Sequence, residues 1–342
     1  MKKISLIILI SCVFIGLTAV NWDFYGSARM MMWYEQDNED LTGSESRLNL
    51  NYGLQGNSRF GATVEHDNYT GGVEMGLSGS GASLRKVYAE YDFGNMSLLV
   101  GQTYTGFADF GSQVYWVDNN LIGFGMAYDG RNPMVKLSMD NGFYAMAMPP
   151  EKHGLGSFTA DQFDALIPKM NFGYDYSSGK MRLHPTFGFN MTQLNSDFNS
   201  GEYDDQVLSY NLGVTFDYDM DSMFLRIQGN YGQNVSYYGF DYSSTKSSPY
   251  WAEEEVKNAS TMSAYVDLTF NNISLGAGLE QSDNDDLDDA DAAMSAYALY
   301  NYEMAKNLCL VPEVGMIDYM EDGMGNTEGQ RIYFGAKLQA NF

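Results

Sequence analysis

Three groups of side chains in this sequence could act on ions or solutes. Six basic residues, Arg29, Arg59, Lys86, Arg226, Arg331 and Lys337, stand at alternate positions of segments that read as β-strands, on the face that carries the other polar residues. A second group lies in residues 105–132, a stretch without a strong strand signal that holds Asp109, Asp118, Asp129 and Arg131 beside Tyr115 and Trp116. A loop this long is usually functional or disordered, although 121–128 could also be read as a strand. The third group is the run D-N-D-D-L-D-D-A-D at 283–291. Its Asp283, Asp285, Asp286, Asp288 and Asp289 could share a hard divalent cation such as calcium or magnesium. The run lacks the glycine placement and terminal Glu of an EF-hand loop, and a solvated acidic loop explains it more simply.

Catalysis finds little support. His66, His153 and His184 fall on separate elements, and no G-x-S-x-G is present. A hydrolase would need a nucleophile beside a base that a third group orients, so no catalytic residue is expected. The chain has two cysteines, Cys12 and Cys309. Cys12 would leave with an N-terminal secretory signal, so Cys309 stands alone and two-Cys metal motifs are excluded by count; Cys309 reads as a small packing residue. No cofactor is implied.

The elements that would position these residues are short strands. In R-I-Y-F-G-A-K-L-Q-A-N-F, the last twelve residues, Ile332, Phe334, Ala336, Leu338, Ala340 and Phe342 share one face. Arg331, Tyr333, Gly335, Lys337, Gln339 and Asn341 share the other. The same period of two recurs around Trp22–Phe24, Arg59–Glu65, Val87–Phe93, Leu208–Tyr218 and Met262–Phe270. Short turns are expected at 93–95, 141–142, 177–180, 219–222, 271–272 and 305–307. Longer loops are expected at 36–45, 104–132, 151–165, 193–205, 232–258, 282–290 and 320–328. Alternation of short turns with long loops is the asymmetry of an outer-membrane barrel, short on the periplasmic side and long outside. It predicts an all-β transmembrane antiparallel β-barrel of about 16 strands. Residues 46–54 also alternate; placed inside the first loop they leave that count, and counted as strand they make it about 18.

Composition agrees. With 36 Gly, 7 Pro, 26 Tyr and 20 Phe, the chain suits many strands and tight turns. Beyond the N-terminus no run reaches the roughly 18 apolar residues of a membrane helix, and a barrel needs none. Lys2, Lys3 and the apolar run 4–17 form a secretory signal, with cleavage after Ala19; a lipoprotein signal ending before Cys12 is the rival. The domains expected are therefore a signal at 1–19 and a barrel over 20–342. A formal charge of −25 argues against nucleic acid as a partner.

Residues 84–110 read L-R-K-V-Y-A-E-Y-D-F-G-N-M-S-L-L-V-G-Q-T-Y-T-G-F-A-D-F. This resembles the strand–turn–strand of trimeric general porins that leads into a loop folded into the pore, and V-G-Q-T-Y-T-G-F-A-D is most similar to the DcaP-like porins. S-R-F-G-A-T-V-E at 58–65 and the C-terminal strand resemble the same families, while the stretch from about 148 to 308 matches only in rhythm. The terminal Phe342 resembles the signal read by the outer-membrane assembly machinery. The resemblance implies a homotrimer in the bacterial outer membrane, among lipid and lipopolysaccharide, with 105–132 as the constriction loop. Asp109, Asp118 and Asp129 would then face Arg29, Arg59, Lys86, Arg226, Arg331 and Lys337 across the pore and set a transverse field. A cation at the acidic run would bridge to lipopolysaccharide phosphates.

The function expected is passive diffusion of small hydrophilic solutes. A closed-barrel surface adhesin or structural anchor is the alternative, and an outer-membrane enzyme the third reading. DcaP-like relatives imply small anionic solutes such as dicarboxylates, whereas acidic loops would deplete anions at the mouth. These two indications conflict, and the sequence does not decide between them.

Overall fold

The computed structural model describes residues 21–342 apart from 80, 119–120, 122, 196, 198–205, 241–243 and 285–286. The expected signal at 1–19 lies outside the described residues, as do Asp285 and Asp286. The chain forms one closed antiparallel barrel of 16 strands. In chain order, β1 is Asn21–Asp37, β2 has two pieces, Arg47–Leu54 and Arg59–His66, β3 is Tyr69–Ser78, β4 Gly81–Asp92 and β5 Met96–Tyr104. Then come β6 (Arg131–Met139), β7 (Phe143–Met148) and β8, in three pieces, Phe163–Ala165, Lys169–Tyr174 and Tyr176–Ser178. They are followed by β9 (Met181–Leu194), β10 (Gln206–Asp219), β11 (Met223–Gln233), β12 (Ala259–Phe270) and β13 (Ile273–Asn284). The last are β14 (Asp291–Tyr300 and Tyr302–Ala305), β15 (Leu308–Asp318) and β16 (Gln330–Asn341). Closure joins β1 to β16 from Ser27↔Asn341 to Asp37↔Arg331. At the rim, Phe342 and Gly26 exchange backbone hydrogen bonds of 2.8 and 3.0 Å.

Alternation dictates the two faces. Leu212, Val214, Ile227, Leu275 and Phe334 point out and are exposed, whereas Asn211, Thr215, Gln228, Ser274 and Tyr333 point in and are buried. An apolar outside around a polar inside is the inverse of a water-soluble protein and matches a wall facing hydrocarbon. Among the described residues no helix is long and apolar enough to cross a membrane.

One expectation needs correction, and two features stand beside it. Residues 46–54 do not sit inside the first loop: Arg47–Leu54 is the upper piece of β2. It pairs with Met30–Asp37, while Arg59–Glu65 pairs with Asn21–Ser27. The long β1 serves both pieces, so β2 counts once and the total stays at 16 rather than 18. Among the described residues of 121–128, 121 and 123–125 form turns and no barrel strand runs there. Strict alternation also fails in β4. Glu74 pairs with Lys86 but Met75 with Leu84, so Arg85 is the extra residue of a bulge. A bulge adds one residue and resets which side chains point inward; here Arg85 and Lys86 both turn away from lipid.

Candidate functional site

The described residues of 105–130 leave the rim between β5 and β6 and enter the barrel interior, tied to the wall at many points. Gly106 N donates to Asn171 Oδ1 at 3.1 Å on β8. The Asp109 carboxylate takes Arg182 at 2.9 Å and His184 Nδ1 at 2.6 Å, both from β9. Arg226 and Gln228 on β11 donate to the carbonyls of Phe110 and Asp109. Three inward carboxylates then grip the next residues. Ser112 N donates to Asp267 at 2.6 Å, Val114 N to Glu313 at 2.5 Å, and Trp116 Nε1 to Glu35 at 2.6 Å. The Tyr115 ring stacks on Tyr333 at 3.8 Å and meets Trp33 edge-on at 5.3 Å.

The tip of the loop is bent hard. Trp116 and Asp118 have φ of 53° and 63°, a region that non-glycine residues seldom occupy. What holds the bend is the break in β2. Gln55 and Asn57, between its two pieces, donate to Asp118 at 2.9 and 3.3 Å. Asp118 is paired as well with Arg29 and, at 3.0 Å, with Lys337.

Between this loop and the wall made by β1, β2, β4 to β6 and β16 lies a cavity of about 600 Å³. Arg29, Arg59, Arg85, Arg131 and Lys337 line it, and Asp118 is its one lining carboxylate. Arg131 and Lys86 each sit over the Tyr104 ring, 5.2 Å from its centre. Glu74, buried behind the lining, takes Arg85 at 2.6 Å, Arg59 at 3.8 Å and Lys86 at 4.0 Å. Six cations against two carboxylates leave a positive excess in this region.

A second cavity of about 570 Å³ also borders Tyr104 and extends toward the short-turn end past Glu90, Asp109, Lys136, Asp175 and Arg182. Burial disfavours the charge on Asp109, yet His184 and Arg182 outweigh it and hold its carboxyl well below the ordinary range. His184 has Asp109 on Nδ1 and Tyr144 OH on Nε2 at 2.8 Å. This fixes the ring with no serine or cysteine among its hydrogen-bond partners.

Of the nine residues expected at a constriction, four meet at the first cavity, Arg29, Arg59, Lys337 and Asp118, with Lys86 beside them. The others stand elsewhere. Asp109 lies in the second cavity, Arg226 pairs with Asp217 at 2.7 Å, and Arg331 pairs with Asp37 at 2.6 Å near the loop end. Asp129 is buried against Lys169 at 2.5 Å; burial pushes its carboxyl up to about 7 in spite of that lysine. Asp283, Asp288 and Asp289 are exposed, and among the described residues no three His, Cys, Asp or Glu side chains stand together as a metal site. Cys309 is partly buried and packs against the interior cluster around Tyr115.

Sequence reasoning missed Arg85, Arg182, Lys169, Gln55 and Asn57. Only Arg182 was open to it, because it lies two positions before His184, which alternation turns inward.

No protein-family model and no curated protein matches this chain. Solved structures do. The outer membrane channel DcaP of Acinetobacter baumannii superposes with a TM-score of 0.72 at 17% identity, over 95% of this chain and 98% of that one. OmpT of Vibrio cholerae, in its trimer form, gives 0.61 at 16% identity over 95% and 100%. The anion-selective porin from Comamonas acidovorans gives 0.56 at 11% identity over 94% and 100%. Identities this low speak to architecture, and by its architecture this chain has the 16-stranded fold of the outer-membrane porins.

Proposed function

We propose that the chain is an outer-membrane porin through which small hydrophilic solutes diffuse, and that it favours anions. The observation that carries this is the lining of the larger cavity, five basic side chains with Asp118 as the only carboxylate. In a narrow opening with low-dielectric walls, the nearest charges act on a permeant far more strongly than charges on distant loops, which salt screens. The acidic surface and the basic passage therefore act at different places, and the passage decides selectivity. The loop at 105–130 is the constriction, held by Asp267, Glu313 and Glu35, with Arg29, Arg59, Arg85, Arg131 and Lys337 opposite. An adhesin or anchor would have no use for such a lining. Assembly as a homotrimer has one support: Arg47–Leu54 pairs with β1 along one edge only and exposes Leu48, Leu50 and Tyr52.

Purified protein in planar bilayers should give stepwise conductance; a folded protein that gives none would refute the proposal. Within it, Asp118→Asn releases Arg29 and Lys337 from their shared carboxylate. The anion-to-cation permeability ratio should rise by about threefold, since a unit charge near the path is worth on the order of 1 kcal/mol in a water-like medium and salt screens part of it. A zero-current potential identical to wild type would remove Asp118 from the path.

A further inference from the structure

The half of the barrel away from the basic cavity has a polar inner wall that the chain itself covers over much of its length. Along β9 to β13 the inward residues are small and polar, among them Asn190, Ser209, Asn211, Gln228, Ser263 and Ser282, yet all are buried. Ser209 Oγ and Gln228 Oε1 have no hydrogen-bond partner. Leaving such groups buried and unpaired costs on the order of 1–3 kcal/mol each. Such a wall would be at ease facing water.

Over β12 and β13 the cover is Thr245, which meets Ser282 at 2.7 Å, with Phe124 and Gly125 against Gly278 and Ala264; over β9 to β11 it is apolar and comes from the segment after β11. Asn234 is held by Leu208 O at 3.0 Å and Asn258 at 2.7 Å. The next residues, Val235–Tyr238, make a single turn inside the barrel. Val235 and Tyr238 are fully buried, and Phe240 nearly so. Phe107 of the constriction loop meets Phe240 edge-on at 5.0 Å and Tyr238 at 5.8 Å. Asn190 on β9 donates to Tyr237 O at 3.2 Å, and Tyr238 OH donates to Met170 O at 3.2 Å on β8. Between the Phe107 region and the β9–β11 wall the remaining gap is only about 10 Å³, too small for a permeant.

We infer that Val235, Tyr238 and Phe240 plug a second, polar-walled passage along β9 to β11, and so confine permeation to the basic half of the lumen. The plug then sets both bore and selectivity. The wall it covers bears neutral polar groups, and its Arg182 and Arg226 are both paired with Asp217, at 3.3 and 2.7 Å, so a flow past it would lack the preference for anions. This rests on the channel reading above.

The test is Val235→Ser/Tyr238→Ser/Phe240→Ser, with Phe240→Ala as a milder variant that keeps the barrel intact if the triple change does not fold. Folding is checked by heat-modifiable gel mobility. Single-channel conductance should rise about twofold in the triple variant, the open cross-section of a barrel this wide being shared between two halves. Its anion preference should fall, and Phe240→Ala should move both readouts the same way by less. Folded variants with wild-type conductance and wild-type zero-current potential would overturn the inference. A silent wild type with a conducting variant would refute the basic passage and uphold the plug; silence in both would overturn both.

Discussion

In Arg59→Gln/Arg131→Gln the anion preference of the channel should fall by about tenfold at low salt, with little loss of stability. The two guanidinium groups line the larger cavity from β2 and β6. Each stands close enough to a passing ion for an interaction on the order of 1 kcal/mol, and 1.4 kcal/mol is a factor of ten. The pair is chosen because neither is the main support of a buried acid. Arg131 donates to Tyr104 OH at 3.1 Å and has no carboxylate partner among the described ion pairs, while Arg59 stands 3.8 Å from a Glu74 that keeps Arg85 at 2.6 Å. Arg85→Gln is the contrast: it strips Glu74 of its close partner and should cost stability as well as selectivity. Zero-current potentials in a salt gradient measure the first effect. Repeating them at high salt should shrink the difference, because screening shortens the reach of each charge to a few ångströms.

Lys169→Met should destabilise the barrel by about 3 kcal/mol, the low end of what breaking a buried ion pair costs. Lys169 is fully buried on β8 and meets Asp129 of the 105–130 loop at 2.5 Å, Glu151 at 3.6 Å, and the Tyr238 ring at 4.4 Å. One ammonium group thus pins three loops. Gly239 has φ +113°, and a Cβ there would come within 2.9 Å of Asp129 Oδ1 and 3.0 Å of Lys169 Nζ, so a glycine is what lets the chain pass. Without the lysine, Asp129 is left in a site that already pushes its carboxyl up to about 7. It can take a proton, which limits the loss. Lys169→Met/Asp129→Asn removes both charges and should recover most of the stability, since a neutral pair of similar volume avoids the desolvation cost. Urea unfolding in lipid vesicles reads both variants; equal losses in the single and the double change would show that the charge pair is not the cause.

Much of the architecture was legible because a strand facing lipid on one side and water on the other must alternate. The parity of residues 331–342 placed Tyr333 and Lys337 inside and Phe334 and Leu338 outside, as found. What escaped are places where the period breaks. The bulge at Arg85 turns two adjacent basic residues inward, and no period-of-two reading can anticipate it. Gln55 to Ser58 carries turn residues between two alternating pieces, which looks like the end of a strand. The chain instead resumes on the same β1, whose length allows it. Lys169 sits where β8 is broken into short pieces, too short to show parity. By sequence, the N-V-S-Y-Y-G-F segment at 234–240 belongs to an outer loop, 232–258. Its apolar residues were the available sign that it packs inside, but their partner, Phe107, lies far away in sequence.

The central claim is that ions cross this barrel past a basic lining. The zero-current potential of the wild-type protein in a planar bilayer, under a tenfold potassium chloride gradient, tests it most directly. A potential of the sign set by chloride, from a channel with discrete conductance steps, is the predicted result. A potential of the sign set by potassium would contradict it.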